Sequence, residues 1–277
     1  MGERRGALAF LTGGGLSQRR SCGLVGLHRS TARYPARPRD DAGLLERLKR
    51  VREKWPRFGY RRAWAVLRRE GEAINPKRVY RLWRSCGLAV SRRKKRVRRK
   101  PAESVPCRAA HPNHVWTYDF LEDATLSGSK LRLLTVVDEF TRECLKIEVG
   151  TSFPAERVLR TLEGVFQSYG TPRFLRSDNG PEFIALTLRG WLRVQGAGTL
   201  YIAPGSPWEN GYVESFNGKF RDECLDRETF LSVAEARIGS ERYRRHYNGE
   251  RPHSSLGYKT PLEFKKEWME AHPTITQ

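Results

Sequence analysis

Cysteine is scarce in this 277-residue chain: Cys22, Cys86, Cys107, Cys144 and Cys224 are odd in number, scattered, and never in CxxC spacing. That excludes a disulfide framework and a paired-cysteine zinc site, and it fits a reduced, cytoplasmic setting. His111 and His114 are close in sequence, but no cysteine pair follows at ligand spacing, so they are expected to lead into a strand rather than to bind metal. No run of about 18 apolar residues exists, so no membrane span is expected. The apolar stretch from Ala7 to Leu11, behind Arg4 and Arg5, is too short for a secretory signal.

Negative charge is lacking in the first part of the chain. Lys and Arg total 52 against 31 Asp and Glu, a formal charge of +21. Residues 1–110 hold 31 Lys/Arg and 8 Asp/Glu, whereas residues 111–277 hold 21 and 23, giving +23 and −2. A charge meant only for solubility would be spread evenly. This split implies a polyanion-gripping N-terminal part joined to a near-neutral part with another task, and nucleic acid is the expected partner.

Four segments are expected. Residues 1–40 contain a helix, a turn at Gly26 and a second helix opened by Arg29, Ser30 and Thr31, the outline of a helix-turn-helix. Residues 41–90 carry apolar positions at three- and four-residue steps (Leu44, Leu48, Val51; Trp64, Leu67; Val79, Leu82, Trp83), predicting three helices, the last opened by Asn75-Pro76 and carrying Lys77 and Arg78. Residues 91–110 are a linker whose cationic run (Arg92, Arg93, Lys94, Lys95, Arg96, Arg98, Arg99, Lys100) repels itself and is suited to phosphates. Residues 111–277 are expected to form an α/β core with a C-terminal helical extension.

There the periodicity changes to strands at Val115–Leu121, Leu131–Val137 and Cys144–Val149. A helix over residues 154–169, a strand over 173–176, a helix over 181–194, a strand over 199–203 and a helix from Asn210 follow. Three antiparallel strands followed by helix, strand, helix, strand and helix is the order of a ribonuclease-H-like α/β fold, a mixed five-stranded sheet with helices, here preceded by a basic all-helical domain. A basic stretch at Arg242, Arg244 and Arg245 fits either a solvated face or a contact surface.

Three acids stand out. Asp119 lies within the first strand between Tyr118 and Phe120, where a carboxylate needs compensation, expected from a positive partner. Asp178 follows a strand at the turn Asp178-Asn179-Gly180. Glu214 shares a polar helical stripe with Asn210, Asn217 and Arg221, beside the apolar stripe Val213, Phe216, Phe220. A three-carboxylate cluster suits hard cations such as Mg²⁺. Asp138 and Glu209 are the neighbouring acids that could stand in for one of the three.

The words around these acids carry a resemblance. SDNGPEF (177–183) and PGSPWENGYVESFNGKFRDE (204–223), with 35 residues between Asp178 and Glu214, resemble the retroviral-integrase superfamily. More closely, together with RFGYRR (57–62), KRVYRLWRSCGL (77–88), VVDEFTRE (136–143) and HYNGERPHSSLGYKTPLEF (246–264), they resemble the OrfB transposases of the insertion-sequence-three family.

The resemblance implies a DNA transposase with Asp119, Asp178 and Glu214 as catalytic, metal-holding acids. It implies Mg²⁺ or Mn²⁺, two ions, and Arg221 on the DNA. Water would cleave and a DNA 3′-hydroxyl would join, without a covalent protein intermediate. It further implies double-stranded DNA partners (insertion-sequence ends and target), a homo-oligomer at the paired ends, and a bacterial, nucleoid-associated location. Leucine-zipper heptads are missing, so an OrfA partner or an OrfA–OrfB fusion is expected for full end recognition. Residues before about 16 match the family poorly, as an upstream start would leave them. A DNA-binding regulator would need only the basic region, an inactive remnant only the fold, and a ribonuclease H no large basic domain.

Overall fold

The computed structural model describes residues 2–34, 40–90, 107–178, 180, 186–202 and 210–273. The basic run from Arg92 to Lys100, and Glu209, lie outside the described residues. The chain divides into two compact units, residues 1–46 and 47–277.

In the first unit, α1 (Gly2–Gly13), α2 (Gln18–Leu24) and α3 (Arg29–Arg33) gather Leu8, Cys22 and Leu27 into a small core. Helix α1 has no counterpart in the sequence-based expectation; it is closed by Leu16 N–H donating to the Leu11 carbonyl, around Gly15 at φ +87°. Gly26, at φ +60°, makes the expected turn after α2.

The second unit joins three helices to an α/β sandwich. Helix α4 (Ala42–Lys54) crosses the unit boundary, followed by α5 (Tyr60–Arg69) and α6 (Pro76–Ser85). Asn75 caps α6, its side-chain oxygen accepting from Lys77 N–H at 2.8 Å, with Pro76 at the first helical position. Leu48, Ala63, Leu67, Val79 and Trp83 are buried, in keeping with the apolar spacing.

The sheet has the order β3-β2-β1-β4-β5: β1 Val115–Ala124, β2 Lys130–Asp138, β3 Cys144–Gly150, β4 Phe174–Ser177 and β5 Gly198–Tyr201. β1 to β3 form the expected antiparallel meander; β4 and β5 add parallel to β1 through the crossover helices α7 (Ala155–Tyr169) and α8 (Leu186–Val194). Gly198 lies against Phe174, where a Cβ would come within 2.7 Å of the ring.

Helix α9 (Gly211–Phe220) runs into a five-residue π turn (Arg221–Leu225), followed by α10 (Val233–Gly249) and α11 (Pro261–Ala271). The pleat of the sheet sorts side chains to two faces. Trp116, Tyr118, Leu134, Val136 and Leu175 pack with Val158, Leu162, Phe166, Leu188 and Leu192 of α7 and α8. Leu121, Leu131, Leu133 and Val137 pack with Val213, Phe216, Phe220, Tyr243 and Tyr247 of α9 and α10. Asn248 fixes α10 to β3 through two reciprocal 2.8 Å bonds with the Cys144 backbone.

The π turn is where the helical region meets the sandwich. Arg57 Nε donates to Asp222 Oδ2 at 2.9 Å, and Arg62 donates to Glu223 Oε1 at 2.8 Å. Arg251 forks onto both Glu223 oxygens at 2.7 Å. Burial alone would push the Glu223 carboxyl up, but Arg251 and Arg62 more than offset it and hold it below its ordinary range. Replacing Glu223 with Gln leaves buried Arg251 without a counter-charge, and is expected to destabilise this unit by roughly 3–5 kcal/mol in urea unfolding at pH 7. A loss below about 1 kcal/mol would show the pair to be peripheral.

Candidate active site

Asp119 sits at the middle of the central strand, and the pleat sends it to the face opposite its aromatic neighbours. Tyr118 packs with the α7 and α8 layer, while Asp119 shares the α9 face with Thr117 and Leu121 and lies across from Thr135 of β2. Neutral donors supply part of the expected compensation. Phe120 N–H donates to Asp119 Oδ1 at 2.7 Å, and Asn217 Nδ2 donates to Oδ2 at 3.0 Å. These do not fully balance the cost. Burial, aided by the negative charges of Asp178 and Glu214, pushes the Asp119 carboxyl up to about 6 from 3.8.

The polar stripe read from the sequence is what seats α9 on the sheet. The Thr117 hydroxyl donates to the Asn210 side-chain oxygen. Thr135 Oγ1 donates to Asn217 Oδ1 at 2.9 Å, and Arg221 donates to the Glu122 carbonyl at 2.7 Å. Asn210, Asn217 and Arg221 thus engage β1 and β2 at successive levels, with Val213, Phe216 and Phe220 buried beside them. Glu214, half-buried, lies between the first two attachments and is carried by them toward Asp119.

Asp178 leaves the end of β4, and the β1–β4 register, last paired at Thr117 and Arg176, runs on to place it beside Asp119. Its Oδ1 accepts from Gly180 N–H at 3.0 Å, the expected turn. β4 is anchored two residues earlier: Arg176 Nε donates to Glu139 Oε1 at 2.8 Å, both side chains essentially buried, and the same guanidinium reaches the Cys107 carbonyl at 2.9 Å. Burial pushes Glu139 up to about 7, with Arg176 pulling the other way.

The structure therefore brings Asp119, Asp178 and Glu214 within electrostatic reach of one another. Among the described residues, however, no three His, Cys, Asp or Glu close tightly enough to enclose an ion. Both Asp119 carboxylate oxygens accept from neighbouring donors.

Of the alternative acids, Asp138 builds a turn: Oδ1 accepts from Phe140 N–H and Thr141 N–H at 2.9 and 2.7 Å, and Oδ2 from Asn113 N–H at 2.7 Å. His111 and His114 stack at 4.7 Å just before β1, as a lead-in to the strand. Arg242 pairs with Glu228, and Arg244 and Arg245 with Glu241. Lys77 is exposed in the first turn of α6, and Arg78 beside it is half-buried. The roles of Asn210, Asn217, Thr117 and Thr135 around the acids are not evident from the sequence, although the helical stripe contains both asparagines. The Glu139–Arg176 pair leaves no local signal, because its partners are brought together only by the sheet.

Residues 109–207 and 195–261 each match a family described as integrase core domain, and residues 38–96, which include α4 to α6, match a family described as HTH-like domain. An uncharacterised 31.7 kDa protein of insertion element IS407 from Burkholderia multivorans is 43% identical over 90% of this chain and 90% of that protein. The transposase InsD of insertion element IS2 from Escherichia coli is 32% identical over 84% of this chain and 81% of its own length. The simian T-cell lymphotropic virus intasome shares the fold, with a TM-score of 0.50 at 15% identity over 79% of this chain and 74% of that one. A five-stranded sheet with acids on β1, after β4 and on α9, behind an HTH-like helical region, is thus found in a chain that belongs to the OrfB-type transposases of the insertion-sequence-three family, DNA transposases with a retroviral-integrase-like core.

Proposed function

We propose that Asp119, Asp178 and Glu214 are the catalytic carboxylates of this transposase and hold Mg²⁺, or Mn²⁺ in its place, as two ions. The carrying observation is the Asn210 and Asn217 attachment of α9, which sets Glu214 toward an Asp119 whose carboxyl is raised by burial and by the other two acids. The donors fit the group: all are hard carboxylate oxygens, and the charge that accumulates at Asp119 is the kind a divalent cation relieves. Bound divalent ions supply the electrostatic stabilisation of an in-line displacement at phosphorus. The chain's own task is to orient. Asn217 holds Asp119 Oδ2, Thr135 holds Asn217, and the Arg176–Glu139 pair holds the strand that presents Asp178. A divalent ion would be held by the deprotonated Asp119 carboxylate, so loading would strengthen as pH rises through about 6.

The same reading assigns double-stranded insertion-sequence ends and target DNA to the basic part. Lys77, Arg78 and the run Arg92, Arg93, Lys94, Lys95, Arg96, Arg98, Arg99 and Lys100 take phosphates, and Arg221 reaches DNA from the rim of the site. A homo-oligomer pairs two ends, and an OrfA partner or fusion supplies the zipper this sequence lacks. The workplace is the bacterial cytoplasm at the nucleoid. Among the described residues no helix is long and apolar enough to cross a membrane.

Strand transfer of a labelled insertion-sequence end in Mg²⁺ is expected to fall by roughly 100-fold or more in each of Asp119→Asn, Asp178→Asn and Glu214→Gln, the order of magnitude that goes with removing an essential electrostatic group. Wild-type activity in all three would remove the assignment.

A second outcome concerns stability. A carboxyl whose folded value is raised to about 6 contributes stability below its unfolded value of 3.8 and loses it as pH rises through 6. Without metal, Asp119→Asn is therefore expected to be more stable than wild type at pH 8, by on the order of 1–2 kcal/mol, with the gain shrinking at pH 4. Thermal unfolding in chelator at both pH values decides this, and a variant less stable at pH 8 contradicts it.

For the basic run, neutralising residues 92–100 is expected to flatten the dependence of log affinity for DNA on log salt, by about 0.9 for each phosphate left unneutralised. An unchanged slope in a titration from low to high salt would remove its phosphate role.

A further inference from the structure

A second site lies away from the carboxylates, on the helical region. Tyr60 and Trp64 of α5, Tyr80 of α6 and Tyr258, from the segment after α10, surround a cavity of about 450 Å³, within the range of small-ligand sites. Arg61 and Lys77 stand at its wall. Four aromatic rings with two cations, in a region already strongly positive, is the composition that receives nucleic-acid bases and their phosphates.

The rings are held in place. Trp64 Nε1 donates to the Ile74 carbonyl at 2.8 Å, which fixes the indole, and the Tyr258 ring stands edge-on to it at 5.9 Å and 88°. Tyr60 and Tyr80 lie 4.8 Å apart and tilted by 57°, so they do not close the cavity by stacking flat. Tyr80 stays 44% exposed, an apolar ring facing water. Arg61 donates to the Tyr60 hydroxyl at 3.1 Å, and it also interacts with Tyr258.

The backbone at Tyr258 is the more telling feature. This residue takes φ +68°, directly after Gly257 at +64°, a conformation that costs a bulky side chain energy. The turn is pinned by Tyr258 N–H to the His253 carbonyl at 2.8 Å and His253 N–H to the Lys259 carbonyl at 3.0 Å. An asparagine or glycine would relieve the strain, yet the position presents a phenol to Trp64 and Arg61.

We propose that this cavity takes an unstacked nucleotide of single-stranded DNA, its base among Tyr60, Trp64, Tyr80 and Tyr258 and its phosphate on Arg61 and Lys77. Bases inside a duplex are paired and stacked on their neighbours, and would have to be flipped out at the cost of that pairing and stacking to enter such a slot. Strand cleavage produces ends from which a base can leave the stack, so the proposal rests on DNA being the substrate. The site gives the helical region a way to tell a cut or frayed end from continuous duplex.

The test uses the full chain in chelator, with a single strand of about 12 nucleotides, within the usual span of single-strand sites, carrying 2-aminopurine, and a blunt duplex of the same sequence. Tyr80→Ala removes an exposed ring, and Tyr258→Asn suits the left-handed backbone, so both are expected to fold, with circular dichroism as the check. Each is expected to weaken single-strand binding roughly tenfold, from the typical contribution of one base–aromatic stack, and to lose 2-aminopurine quenching, while duplex affinity changes less than about twofold. Arg61→Ala with Lys77→Ala is expected to lower the single-strand salt slope by about 0.7 for each phosphate left unneutralised. Unchanged single-strand affinity, or equal losses on single strand and duplex in Tyr80→Ala and Tyr258→Asn, overturns the proposal. This assay reads binding in chelator and the catalytic assignment is read by strand transfer in Mg²⁺, so the two readings fail in different assays.

Discussion

A carboxylate held on the central strand is the constraint from which the core takes its form. Neutral donors share the cost of placing Asp119 there, and Asn217 with the Phe120 N–H is the pair that does so. Asn217 is itself useful only if its own oxygen is bonded, which draws in Thr135 across the strand pair. The hydrogen-bonded chain from β2 through α9 to β1 thus fixes the height of the helix on the sheet, and the height of Glu214 follows. What remains unbalanced is electrostatic, and it is concentrated at the position where a divalent ion would be useful.

The same pleat that exposes Asp119 to α9 gives the sheet its two different faces. On one side Trp116, Tyr118 and Leu175 build an ordinary apolar layer with α7 and α8. On the other, apolar contacts from Leu131, Leu133 and Phe216 surround a polar seam of Thr117, Thr135, Asn210 and Asn217. A polar network inside a core specifies one arrangement when all its members are bonded, and this seam is bonded along its length. The Arg176–Glu139 pair positions β4 in a similar way, through a buried bond rather than an apolar contact.

The strand and helix pattern was legible because hydrophobic periods of two and 3.6 survive in a core packed on both faces. The α9 stripe was legible for the same reason: helical phase alone separates Asn210, Glu214, Asn217 and Arg221 from Val213, Phe216 and Phe220. The environment of Asp119 was not, since reading Tyr118 and Phe120 as its neighbours ignores the alternation that turns them to the other face. Contacts between distant segments were also illegible. Glu223 meets Arg62 across 161 positions and Arg251 across 28, and no local pattern announces either. The late motif around Asn248, Arg251, Tyr258 and Thr260 could be noticed as a string, while its reasons lie in the Cys144 backbone, the π turn, the Trp64 ring and the cap of α11.

The π turn has a consequence for how this protein can be divided. Because Asp222 and Glu223 directly follow the helix that bears Glu214, and face Arg57 and Arg62, the HTH-like region and the integrase core share a charged seam rather than a bare linker. Truncation before the core would strip away two counter-ions along with the HTH-like helices. A catalytic fragment cut by sequence homology would start with an altered end to its key helix, so its inactivity would say little about whether the missing part recognises DNA.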